Sequence, residues 1–104
     1  MGKSSDANID VMRRSLSEQM PELQARYGVK SLGIFGSFVR GQQKKRSDVD
    51  LLVEFNDQAP VTLVSFVALE RELGNLLGKK VDLVERNTLK PVIGKRILEE
   101  VILV

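Results

Sequence analysis

The segment 49–55 offers almost nothing to water: Val49, Leu51, Leu52, Val53 and Phe55 leave only Asp50 and Glu54 polar. A strand apolar at nearly every position sits in the middle of a sheet, because both of its faces need cover. The rest of the chain supplies neighbours and cover. Ile9, Met12, Leu16, Met20 and Leu23 recur at helical spacing, and Gly28 after Tyr27 suits a C-terminal cap, which predicts a helix over 8–26. Val29–Phe35 reads as a strand, 37–41 as a short helical turn and 42–47 as a polar loop. After the central strand, Leu63, Phe66, Leu69, Leu73 and Leu76 mark a second long helix, weakened at Gly74 and ended near Gly78. Residues 80–84 form a short third strand, and Pro91 opens a last helix with Ile93, Ile97, Leu98 and Val101 on one face. The order αβαβαβα predicts a small sheet flanked by helices. The closing residues 101–104 are all apolar, so they either pack on the core or meet a partner.

At 104 residues the expected organisation is a single domain, 1–104, with 1–7 as a frayed start. That length suits one modest core and is too short for a catalytic domain plus a separate module holding an acceptor. No apolar stretch approaches the roughly 20 residues of a membrane span. The N-terminus has no signal-peptide core, so a soluble cytoplasmic protein is expected. Cysteine and histidine are both absent, which removes disulfides, zinc fingers, thiol nucleophiles and imidazole bases. Carboxylates, hydroxyls, Lys and Arg must carry any chemistry. A net charge of +2, one Tyr and no Trp argue against a nucleic-acid binder and against an aromatic platform for single strands. Lys44, Lys45 and Arg46 form a basic cluster in the polar loop, either a solvated turn or a screen for incoming phosphates.

Chemistry concentrates at two short motifs. On an extended strand residues i and i+2 share a face, so Asp48 and Asp50 aim two carboxylates at one spot, as hard divalent cations require. Ten residues separate Asp48 from Gly36-Ser37, a small flexible pair after the apolar run Leu32, Gly33, Ile34 and Phe35 that lets backbone amides approach phosphate oxygens. Either half alone is an ordinary turn or a solvated strand start; the pair together is far more specific. Asp82, mid-strand between Val81 and Leu83, points away from both. If its strand lies beside 49–55, it faces the same space as Asp48 and Asp50, where three carboxylates repel one another unless cations sit among them. The alternative is an aspartate paired with Lys80 or Arg86. Three carboxylates around two Mg²⁺ ions suit phosphoryl or nucleotidyl transfer, with Asp82 placed to take the proton of an attacking hydroxyl.

At these residues the chain resembles the polymerase-beta-type nucleotidyltransferase superfamily. The stretches Ile34-Phe35-Gly36-Ser37-Phe38-Val39-Arg40-Gly41 and Ser47-Asp48-Val49-Asp50-Leu51-Leu52-Val53 are similar to its smallest branch, the minimal nucleotidyltransferase (MNT) domain proteins. Residues 77–84 and 96–101 look like that branch too. The resemblance implies an α/β (α+β) fold with that superfamily's core, a small mixed sheet flanked by helices. It implies an Mg²⁺-dependent enzyme that takes ATP as substrate and binds two ions. MNT proteins act as antitoxins of HEPN-type RNase toxins and, in active members, transfer AMP from ATP to a toxin tyrosine. On that resemblance Gly36 and Ser37 hold the triphosphate, Asp48 and Asp50 bind both ions, and Asp82 is the third carboxylate. Arg40, three residues after Ser37, is placed either for a phosphate or for a surface salt bridge. Some members carry Arg where this chain has Phe38. The expected partner is therefore a HEPN-type toxin, in a hetero-oligomer. The rival readings are a nucleotidyltransferase acting on a small molecule or RNA end, and a non-catalytic antitoxin acting by binding alone.

Overall fold

The computed structural model describes residues 9–42 and 48–104. The basic cluster Lys44-Lys45-Arg46 and the start 1–7 lie outside the described residues. The elements follow the order α1 (Ile9–Tyr27), β1 (Val29–Phe35), α2 (Ser37–Arg40), β2 (Val49–Phe55), α3 (Leu63–Leu77), β3 (Val81–Glu85), a 3-10 turn (Arg86–Thr88), α4 (Pro91–Glu100) and β4 (Ile102–Leu103). The strands form one sheet in the order β3-β2-β1-β4, antiparallel except for the parallel pair β2 and β3. As the apolar run predicts, β2 lies inside the sheet. Parallel neighbours need a crossover, which α3 supplies.

Strand alternation divides the sheet into two unlike faces. Val49, Leu51, Val53 and Phe55 join Val29, Leu32, Ile34, Val81 and Leu83 against Met12, Leu16 and Leu23 of α1 and Leu69 and Leu73 of α3, and this is the core. α3 starts where Thr62 Oγ1 accepts from Ser65 N at 3.1 Å and Ser65 Oγ accepts from Thr62 N at 2.9 Å, a reciprocal cap that satisfies two amides otherwise left open. Arg26 and Tyr27 at the end of α1 both reach Glu72 on α3, with Arg26 Nη1 at 2.8 Å from Oε2. This tie is largely exposed, so solvent screens it and it contributes little. Burial of the aliphatic core holds the layers together.

The opposite face carries Phe35, Leu52, Asp50 and Asp82, and α4 lies against it. Because that surface is half polar, the apolar stripe of α4 is only partly covered. Ile97 is half-buried, whereas Ile93 is 55% and Leu98 44% exposed. The tail does not end as a helix. Residues 102–103 pair with β1, Val104 N donates to Leu32 O at 2.9 Å, and Val104 packs on the core. A Cβ on Gly33 would run into the Val101 side chain and lie 3.3 Å from Leu103 Cδ2, so the bare glycine lets this tail approach β1. Leu103 still faces outward. No helix among the described residues is long and apolar enough to cross a membrane.

Candidate active site

Three strands meet at one corner of the half-polar face. β1 leaves the sheet at Phe35, while β2 and β3 enter it side by side, so Phe35 pairs with Asp50 and Asp50 with Asp82. The parallel register thus realises the adjacency on which the reading of Asp82 depended. Asp82 is exposed, Asp50 is half-buried, and Asp48 stands exposed immediately before β2. Neither Lys80 nor Arg86 pairs with Asp82 among the described residues; Arg86 Nη1 goes to Glu54 Oε2 at 3.2 Å.

The chain turns out of β1 at Gly36, with φ 83° and ψ −150°. That region of backbone space is open to little but glycine. A Cβ there would stand 2.9 Å from Asp50 Cγ and collide with the carboxylate. Backbone shape and carboxylate position are therefore linked. Gly36→Ala is expected to lower stability by roughly 1–3 kcal/mol and to displace Asp50. Urea denaturation measures the loss, and a midpoint equal to that of the parent protein would show that the turn tolerates a side chain. Gly41→Ala, also at positive φ (69°) but with nothing within 4 Å of its Cβ, separates the cost of left-handed backbone from that of the collision with Asp50.

After the turn, the four residues of α2 point in different directions. Phe38 is buried in the core, so it has no route to a phosphate at the cleft. Ser37 is half-buried, and Arg40 faces the cleft. Arg40 Nη1 lies 3.1 Å from each carboxylate oxygen of Glu100, the last residue of α4, and Gly36 N donates to Glu100 Oε2 at 2.7 Å. Sequence reasoning missed Glu100. Its signal was present: Ile93, Ile97 and Glu100 are spaced i, i+4, i+7, so a carboxylate occupies a position on the apolar stripe.

Gly36, Arg40, Asp50, Asp82, Arg96 and Glu100 line a cleft of about 500 Å³, with Phe35, Val84, Leu89, Ile93 and Ile97 as its apolar wall; Ser37 and Asp48 lie outside that lining. A hollow of about 580 Å³ beside Lys79 and one of about 650 Å³ around Lys90 are roomier, but neither contains the carboxylate pair. Within the cleft negative charge accumulates. Burial pushes the Asp50 carboxyl above the ordinary carboxylate range, Asp82 and then Asp48 push it further, and Glu100 adds to this; Arg40 alone opposes. Hard oxygen donors whose mutual repulsion needs a counter-charge fit a divalent cation such as Mg²⁺. Among the described residues, no three His, Cys, Asp or Glu side chains are grouped closely enough to hold a metal ion as they stand. The donor chemistry fits while the cage is not closed.

Known proteins share both sequence and architecture with this chain. The family model for the nucleotidyltransferase domain matches residues 16–104. Protein adenylyltransferase MntA of Thermococcus cleftensis is 47% identical over 89 residues, covering 86% of this chain and 88% of the relative. A solved structure provisionally described as a minimal nucleotidyltransferase superposes with a TM-score of 0.74 at 35% identity, over 97% of this chain and 98% of that one. The fold also matches, with a TM-score of 0.65 at 16% identity, a chain from the complex of a tri-AMPylated Shewanella oneidensis HEPN toxin with its MNT antitoxin, over 90% of this chain and 69% of that one. With the glycine turn and the paired aspartates at one sheet corner, this chain belongs to the nucleotidyltransferase domain family, as one of its minimal members.

Proposed function

We propose that this protein transfers AMP from ATP to a tyrosine hydroxyl of a cognate HEPN-type RNase toxin, and so acts as its antitoxin in the cytoplasm. The observation that carries the reading is the register that sets Asp50 beside Asp82 in a cleft rimmed by the Gly36 amide and Arg40. The relative's name, protein adenylyltransferase, supports a protein as acceptor. The tri-AMPylated HEPN toxin bound to an MNT antitoxin of the same fold supports the choice of protein. Exposed Val92 and Ile93, beside the cleft, suit contact with a folded acceptor.

Asp48, Asp50 and Asp82 would hold the Mg²⁺, two ions on the family resemblance. Bound there, Mg²⁺ supplies positive charge to the triphosphate and leaving pyrophosphate and makes the attacking hydroxyl more acidic. The Gly36 amide, the Ser37 hydroxyl and the Arg40 guanidinium bind phosphate oxygens. An Asp82 carboxylate oxygen accepts the proton of the tyrosine hydroxyl. As the tyrosine oxygen bonds to the α-phosphorus, the bond from the α-phosphorus to the oxygen bridging to the β-phosphorus breaks, and pyrophosphate leaves with the electron pair. Positioning of the two reactants supplies most of the acceleration.

Intact-mass spectrometry of the cognate toxin after incubation with this protein, ATP and Mg²⁺ tests the proposal. Additions of AMP, located on a tyrosine by peptide mapping, are expected. An unmodified toxin whose RNase activity is nonetheless blocked would make the protein an antitoxin by occlusion. Labelling of an RNA end or small molecule in place of the toxin would mean that the acceptor is wrong.

A further inference from the structure

Glu100 has no role in the transfer just described, yet it holds the groups assigned to the triphosphate. Its carboxylate accepts from Gly36 N at 2.7 Å and meets Arg40 Nη1 with both oxygens at 3.1 Å, an arrangement in which two oxygens of one anion are gripped by an amide and a guanidinium. A phosphate offers the same two contacts. Glu100 is the more sheltered partner, its side chain 24% exposed against 49% for Arg40, and its bond to the Gly36 amide is partly buried. We infer that Glu100 is an internal competitor for the phosphate seat, and that a nucleotide must displace its carboxylate to reach Gly36 and Arg40.

This inference rests on the nucleotide reading above, and the test separates the two. Glu100→Gln keeps the length and an oxygen for the Gly36 amide but removes the charge that competes. Calorimetry with Mg²⁺-ATP and with tripolyphosphate is expected to show about tenfold tighter binding of each by the variant, and the KM for ATP should fall by a similar factor with kcat less affected. Glu100→Asp, too short to span both partners, should also bind more tightly. Equal or weaker binding by Glu100→Gln, with its melting temperature retained, would overturn the inference and make Glu100 a partner that holds Arg40 in place. Tighter tripolyphosphate binding without any AMP transfer would uphold the competitor and sink the adenylyltransferase reading; transfer without tighter binding would do the reverse.

Discussion

Asp50→Asn is expected to reduce AMP transfer by more than about 10³-fold while making the free protein more stable. The loss follows from position: Asp50 is the carboxylate between Phe35 and Asp82 in the cleft, and an amide cannot supply the negative charge that would hold a divalent cation there. The gain follows from electrostatics. Burial, then Asp82 and Asp48, raise the Asp50 pKa. A carboxyl whose folded pKa is raised binds its proton more tightly in the folded state, so its stabilising contribution is full below the unfolded pKa, near pH 4, and is lost as pH rises through the folded value. At neutral pH the ionised group opposes folding. Asp50 is partly exposed, so solvent screens much of this; a rise in Tm of about 2–4 °C at pH 7, shrinking towards zero below about pH 4, is the expected scale. Thermal denaturation across that range measures it, and a lower Tm at pH 7 would mean that Asp50 is a structural anchor.

Asp82→Asn is expected to separate chemistry from binding. Asp82 is exposed on β3, so an isosteric amide leaves packing intact. On the proposed mechanism what is lost is a base within the cleft, and loss of a positioned general base slows transfer by about 10²–10⁴-fold. The groups proposed to meet the triphosphate, Gly36, Ser37 and Arg40, are unchanged, so ATP affinity should change by no more than about threefold. Single-turnover transfer alongside calorimetry distinguishes the terms. Transfer at the parent rate would remove Asp82 from the mechanism.

The sequence announces its larger elements because their side chains repeat. Seven residues of β2 and the long stripes of α1 and α3 contain enough positions to fix both type and extent. Asp48 and Asp50 are legible as a pair because they lie two residues apart, Asp50 on β2 and Asp48 immediately before it; that Asp82 stands beside Asp50 depends on which strands are neighbours, and no local pattern encodes that. β4 is invisible for a related reason. Two residues cannot display alternation, and their pairing with β1 depends on the space over Gly33, about seventy residues earlier in the chain. Arg40 allowed two readings, a phosphate contact or an ion pair, and the structure pairs it with a carboxylate inside the cleft. That carboxylate, Glu100, reads locally as one of two glutamates at an exposed helix end. Only tertiary packing turns it towards Gly36.

Nucleotidyl transfer from ATP, proposed for the corner where Asp50 meets Asp82, is decided by parallel reactions of this protein and the proposed HEPN-type toxin with ATP labelled at the α-phosphate or at the γ-phosphate, each with Mg²⁺. The α-label is expected to become covalently attached to the toxin while the γ-label is released as pyrophosphate, and neither label is expected to move with Asp50→Asn. Attachment of the γ-label to the toxin would show phosphoryl transfer instead, and attachment of neither would leave this cleft without the chemistry assigned to it.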